Sequence, residues 1–345
     1  MSSTMVIGVL TAGGDCPGLN AVIRAVVSRA VVTHDMEVVG ILNGWDGLMD
    51  GHVRPLGRDD VRGILQRGGT ILGTSRRDPY VHGDGYASVR HTVEANGIDA
   101  VIVIGGDGTL RTALALQREG LAVIGVPKTI DNDIAGTDLT FGFDTAVSIA
   151  TEALDRISTT AESHNRIMVV EVMGRTKGWI ATYAGIAAGA DAILVPELEP
   201  DLDQVAETIR ARHRRGRTYS IVVVAEGCKA PGDGHGVNIG VDAFGFERLG
   251  GVGYRFGEEL ERLTGFETRV TVLGHLQRGG TPTAFDRVLA TRFGVTAADL
   301  AAAERFGEMA ALRGTEVVGV PLEEACAEVR GVDLVLLDVA HTFFG

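Results

Sequence analysis

Short apolar runs rich in β-branched residues recur at 6–10, 37–42, 100–104, 122–126, 167–172, 192–195, 221–225 and 269–273. No other feature constrains the fold as strongly. Runs of this length without polar alternation belong to strands buried on both faces. Helix-length segments at 19–33, 109–119, 145–159 and 202–214 lie between most of them. Strand and helix alternate as in a parallel, doubly wound sheet, so the fold class expected is α/β. A chain of 345 residues can bury one or two such domains.

In open α/β sheets ligands bind just beyond the carboxyl ends of the strands, and those ends carry most of the chemistry here. The first run leads to Gly13-Gly14-Asp15. The third leads to Gly105-Gly106-Asp107-Gly108-Thr109, and the fourth to Lys128-Thr129-Ile130-Asp131-Asn132-Asp133. Later runs lead to Met173-Gly174-Arg175, to Glu226-Gly227 and to His275-Leu276-Gln277-Arg278. Glycines and charges are thus expected to converge on one edge. A net charge of −13 excludes the broad basic face that nucleic acid requires, so any anion must be held locally. No stretch reaches the roughly 18 apolar residues of a membrane span. The odd set Cys16, Cys228 and Cys326 reads as reduced thiols, so a soluble, cytoplasmic protein is expected.

The turn from Gly105 to Thr109 sits between a buried strand and a helix. Backbone N–H groups there can cradle phosphates while Asp107 offers an oxygen to Mg2+. By itself such a turn is equally at home as a tight structural bend. Asp131 and Asp133 flank Asn132, which suits one carboxylate to abstract a hydroxyl proton and the other to assist, with Lys128 as a nearby cation. The plain alternative is an acidic turn or helix cap. Arg166, Arg175, Arg269 and Arg278, with His275, form a set able to hold an anionic substrate through forked hydrogen bonds. Arg76 and Arg77 either reach donor phosphates or lie in a solvated turn. The segment 229–240, rich in Gly, reads as a surface loop.

Taken together these motifs resemble the bacterial-type 6-phosphofructokinases along nearly the whole chain. The matching residues are Gly13-Gly14-Asp15-Cys16-Pro17-Gly18-Leu19-Asn20, the run 67–76, Gly105 to Thr109, the run 127–133, Ser163-His164-Asn165-Arg166, the run 171–175, Ala225-Glu226-Gly227 and the run 269–282. The resemblance implies two doubly wound domains: 1–142 plus about 276–320 for the phosphoryl donor, and about 143–275 plus 321–345 for fructose 6-phosphate. It implies a glycolytic phosphoryl transfer from Mg-ATP to the sugar 1-hydroxyl. Asp131 would be the base, Thr129, Asp133 and Arg175 further catalytic groups, and Asp107 the Mg2+ contact. Gly13, Arg76, Arg77, Gly106, Asp107, Gly108 and Thr109 would line the donor pocket. Thr129, Ile130, Asp131, Arg166, Met173, Gly174, Arg175, Glu226, Arg269, His275, Leu276, Gln277 and Arg278 would hold the sugar phosphate. In the family Arg166 and Arg269 correspond to residues that reach across from a neighbouring subunit, so a homotetramer is implied.

The family holds ATP users and pyrophosphate users, separated at Gly108 and Lys128. Gly108 leaves room for a nucleotide's α-phosphate, whereas Lys128 is usual in pyrophosphate users and also occurs in ATP users of a mixed-substrate branch. ATP is the expected donor, and pyrophosphate-dependent transfer is the alternative. Ser28, His52, Ser158 and Thr218 replace several cations of the family's effector cluster, leaving Arg24, Arg215 and Arg217, so a weak or differently built effector response is expected. A catalytically silent sugar-phosphate sensor, or an NAD or lipid kinase with the same Gly-rich turn, would leave the intact Asp107 and Asp131, or the arginine set, without a task.

Overall fold

The computed structural model describes residues 4–231, 238–241, 247–249, 251–342 and 344. The chain runs through β1 (Val6–Thr11), β2 (Glu37–Ile41), β3 (Val53–Pro55), β4 (Ala100–Gly105), β5 (Val123–Thr129) and β6 (Phe141–Gly142). It continues through β7 (Ile167–Val172), β8 (Ala192–Leu194), β9 (Ser220–Ala225), β10 (Asn238–Val241), β11 (Glu247–Leu249) and β12 (Thr268–Val272), and closes with β13 (Glu308–Arg313) and β14 (Glu316–Pro321). Two compact units result: 1–145 with 278–330, and 146–277 with 331–345.

The sheet of the first unit has the order β14-β13-β5-β4-β1-β2-β3, with β6 beside β5. It is parallel except at its rims, where β14 and β3 run antiparallel to their neighbours. Strand order reverses at β1 and β4, which makes the crevice beyond their carboxyl ends the natural ligand position. Val101, Val103, Leu110, Val123 and Met309 sit in its core, all fully buried. Burying a side chain of this kind is worth roughly 1.5–3 kcal/mol. Helix Ala284–Ala302 is capped by Thr283, whose hydroxyl accepts the Asp286 N–H at 3.2 Å. Leu322 and Ala325 also pack into this core. The chain therefore re-enters the second unit at Gly331, later than the position near 321 expected from the sequence.

The second unit's sheet, β12-β7-β9-β8, is parallel throughout. β7 and β9 are buried at every position. Helix Val252–Thr264 starts against β7, where the buried Glu171 carboxylate accepts the N–H groups of Gly251 and Gly253 at 3.0 and 2.7 Å. A carboxylate there satisfies first-turn donors and complements the positive helix end. The loop expected at 229–240 lies partly outside the described residues; β10 pairs antiparallel with β11. Residues 343 and 345 of the tail also lie outside them. Among the described residues no helix is long and apolar enough to cross a membrane.

Candidate functional site

In the first unit three strand ends meet. Beyond β1, the Ala12 N–H donates to the Ile104 carbonyl at 3.1 Å, tying the first Gly-rich turn to β4. The Gly13 N–H donates to the Ser75 carbonyl at 2.9 Å, and the Thr74 hydroxyl donates to the Gly13 carbonyl at 2.6 Å. Gly13 is thus held by the segment that carries Arg76 and Arg77. Arg77 is itself committed: it pairs with Asp50 at 3.0 Å and Asp46 at 3.6 Å, and donates to the His82 carbonyl.

Beyond β4, helix Asp107–Arg118 begins without a side-chain cap, so its first N–H groups remain available to an anion. Asp107 takes a two-point contact from Arg111 Nε at 2.9 and 3.0 Å, an i,i+4 pairing legible in the spacing but not expected above. Gly108 shows why it is a glycine by elimination. A Cβ there would meet nothing within 4 Å, and its φ is not positive. Neither packing nor backbone geometry demands a glycine there, and the space beside it is open. Gly14 is the opposite case: a Cβ would fall 2.6 Å from Arg278 Nη1, whose guanidinium donates to the Asp15 carbonyl at 3.2 Å.

Beyond β5, Lys128 is 3% exposed and its ammonium donates to the Gly14 carbonyl. Burial is the largest influence on it and lowers its pKa; Arg278 lowers it further, while Cys16, Asp131 and Asp15 oppose. Thr129 Oγ1 accepts the Asp131 N–H at 3.0 Å, and Ile130 is fully buried. Burial, then the charge of Asp131, push the Asp133 carboxyl up to about 7, with a further push from Asp107 and a pull the other way from Lys128. Asp107, Asp131, Asp133 and Lys128 therefore share one electrostatic neighbourhood.

Among the described residues no trio of His, Cys, Asp or Glu could hold a metal by itself. Mg2+ commonly takes only one or two carboxylates and completes its octahedron with substrate phosphates and water. Asp107, at an uncapped helix start, fits that donor set. Cys16 is fully buried, its thiol donates to the Phe141 carbonyl at 3.7 Å, and burial pushes it up to about 12. It is an inert packing group.

In the second unit the carboxyl edge gathers Met173, Gly174, Arg175, Glu226, His275, Leu276 and Gln277. The Glu226 N–H donates to the Val172 carbonyl at 2.9 Å and the Gly227 N–H to Gly174 at 3.1 Å, locking the turns after β7 and β9 together. Gln277 is fully buried; its amide accepts the Met173 N–H at 3.3 Å and donates to Gly274 at 3.1 Å. Its side chain braces these turns. Arg175 and His275 are exposed, as is Leu276.

Arg166 and Arg269 lie apart from the charges that follow the strands. Arg166 immediately precedes β7, and Arg269 lies at the start of β12, paired with Met168. In parallel strands both starts fall on the amino edge, roughly 15–20 Å along the strands from the carboxyl edge at about 3.3 Å per residue. Both arginines bind Glu267 there, Arg166 at 2.8 Å. The sequence places them at strand ends, and the structure shows these to be the amino ends.

A model of the phosphofructokinase family matches residues 6–301. The pyrophosphate–fructose 6-phosphate 1-phosphotransferase of Amycolatopsis methanolica is 55% identical over 343 residues, 99% of this chain and 100% of that protein. The ATP-dependent 6-phosphofructokinase 3 of Streptomyces coelicolor is 54% identical over 329 residues, 95% of this chain and 96% of that one. Among solved structures, Pichia pastoris phosphofructokinase in the T-state superposes with a TM-score of 0.83 at 33% identity; the match covers 99% of this chain but 37% of that longer one.

Proposed function

Because the chain belongs to the phosphofructokinase family, we propose that it transfers a phosphoryl group from a Mg2+-bound polyphosphate to the 1-hydroxyl of fructose 6-phosphate, giving fructose 1,6-bisphosphate. The observation that carries this reading is the meeting of two strand ends: Gly105 of β4 pairs with Pro127 of β5, which sets the Asp107 helix start beside the loop of Lys128, Asp131 and Asp133. Asp131 accepts the proton of the attacking hydroxyl, while Thr129 fixes the Asp131 backbone and Asp133 supports the pair. The sugar oxygen bonds to the terminal phosphorus as the bridging P–O bond breaks, and Lys128 and Arg175 offset the charge spread over the transferring group. Bound Mg2+, held by Asp107 and the donor phosphates, would neutralise charge on the donor. The helix start at Gly106, Asp107, Gly108 and Thr109, with Gly13, Arg76 and Arg77, lines the donor side.

Met173, Gly174, Arg175, Glu226, His275, Leu276, Gln277 and Arg278 bind the sugar phosphate in this reading. Arg166 and Arg269, on the amino edge, act on the site of a second copy, in a homotetramer. Their separation from the carboxyl edge supports that assignment.

For the donor we propose ATP, on the unfilled space at Gly108. Likeness alone favours a second reading: the 55% identity to a pyrophosphate enzyme, together with Lys128, supports pyrophosphate. Purified protein assayed with fructose 6-phosphate and either Mg-ATP or Mg-pyrophosphate separates the two. Turnover with ATP is expected. Turnover with pyrophosphate and none with ATP would reverse the donor assignment, and turnover with neither would remove the function.

A further inference from the structure

We propose that Thr140, acting with Asn132, is a positioning residue that sets the direction of the Asp131 carboxylate; the inference rests on the reading of Asp131 as base. Asn132 adopts a left-handed backbone with φ of 50°, a conformation that asparagine tolerates better than most residues. It is 1% exposed, and so is Thr140. Asn132 Oδ1 accepts the Thr140 N–H at 3.0 Å and faces the Thr140 hydroxyl at 3.4 Å. The same hydroxyl donates to the Thr129 carbonyl at 2.8 Å. Thr129 in turn accepts the Asp131 N–H at 3.0 Å. Residues 129, 131, 132 and 140 therefore close a ring of hydrogen bonds around Asp131, and every partner of the Thr140 hydroxyl belongs to the loop that carries it.

The ring is anchored from outside. Phe141 and Gly142 of β6 lie in register with Lys128 and Thr129, so Thr140 enters the loop from a fixed strand. The Arg330 N–H donates to the Asp133 carbonyl at 2.8 Å. The Leu312 N–H donates to the Thr137 hydroxyl at 2.9 Å. If Thr140 served only packing, valine, which has nearly its shape, would replace it without consequence for turnover. The hydroxyl is what a positioning role requires, because small displacements of a reacting group are costly to rate.

Steady-state kinetics of Thr140→Val and Thr140→Ser, with melting curves of each, test this. Thr140→Val is expected to lower kcat on the order of 100-fold while KM for fructose 6-phosphate and for the donor stays within about threefold, and Thr140→Ser to recover most of kcat. Asn132→Gly keeps the left-handed backbone and removes the Oδ1 acceptor, so it should reproduce the kcat-only loss even if the valine variant does not fold. A folded Thr140→Val with kcat within about threefold of wild type would overturn the inference. So would a loss confined to KM, or a loss that serine does not restore. Wild-type protein inactive with both donors would instead remove the functional reading and this inference with it.

Discussion

The loop 129–140 of the first unit and the arginine pair at the amino edge of the second sheet bear opposite marks. Around Asp131 the Asn132 and Thr140 side chains are buried, the loop is tied by named partners, and the charges perturb one another. Arg269 is 54% exposed and Arg166 28%, and both rest on a single exposed glutamate, Glu267. In the proposed function the first region carries the chemistry. At the second, Glu267 holds both guanidinium groups in a solvent-facing pairing of small intrinsic worth, which leaves them available for the role proposed toward a second copy. Under the proposed function the base and its bracing come from one copy, while part of the sugar-phosphate recognition comes from a second.

That contrast breaks first at Asp131. Asp131→Asn keeps the size of the side chain and removes the base, so kcat should fall about 10²- to 10⁴-fold with little change in either KM. Equal losses in KM would make the loop a binding element instead. Next comes Gly108→Asp, which puts a carboxylate into the open space beside the donor. It should lower kcat/KM for Mg-ATP on the order of 100-fold, since opposing like charges costs several kcal/mol, and leave KM for fructose 6-phosphate unchanged. At the other region, Arg166→Ala and Arg269→Ala should each raise KM for fructose 6-phosphate about 10- to 100-fold, the scale of a charge-assisted hydrogen bond. Their donor KM should not move. A fall in kcat alone would erase the distinction between the regions.

The smallest effect is on stability. Asp133 titrates higher in the folded chain than when unfolded, from 3.8 to about 7, and Asp286 in the same direction, to about 6. Their stabilising contribution is full below the unfolded value and is lost as pH rises through the folded one. Ligand-free protein should therefore be more stable at pH 6 than at pH 8 by on the order of 1 kcal/mol, read as a higher Tm. Asp133→Asn should remove most of that slope. His213, lowered chiefly by burial, opposes this in part near pH 6, while Asp299, raised by burial but held low overall by Arg29 and His34, titrates below the window.

The strands that were legible in the sequence are those buried on both faces, such as β4 and β7, where the apolar run is unbroken. β6, two residues long, carries no such run; β14 carries one, Val317-Val318-Gly319-Val320, but lies only partly buried at the sheet's rim, and it is not among the runs read as strands. Helix Ala284–Ala302 was hidden for a different reason. Asp286 is fully buried while Phe285 and Val288 are 47% and 60% exposed, so its hydrophobic pattern points to the wrong face. In the site, Asp107 and Asp131 could be read because they follow unbroken strands. The edge on which Arg166 and Arg269 lie was also written in the sequence, since one precedes its strand and the other opens it, but strand direction must be weighed to see it. The Thr140–Asn132 contact and the Arg330 strap depend on tertiary closure and left no local signal.

The division of labour is tested most directly by mixing. Asp131→Asn and Arg269→Ala are prepared separately, dissociated together and reassembled, and assayed at fructose 6-phosphate far below the raised KM of Arg269→Ala, where both parents turn over slowly. If Arg269 serves the site of a neighbouring copy, hybrid assemblies contain some sites with an intact Asp131 and an intact Arg269, and activity with fructose 6-phosphate returns well above the sum of the parents. Hybrids that form, as verified by mass, yet remain as inactive as their parents would contradict the account.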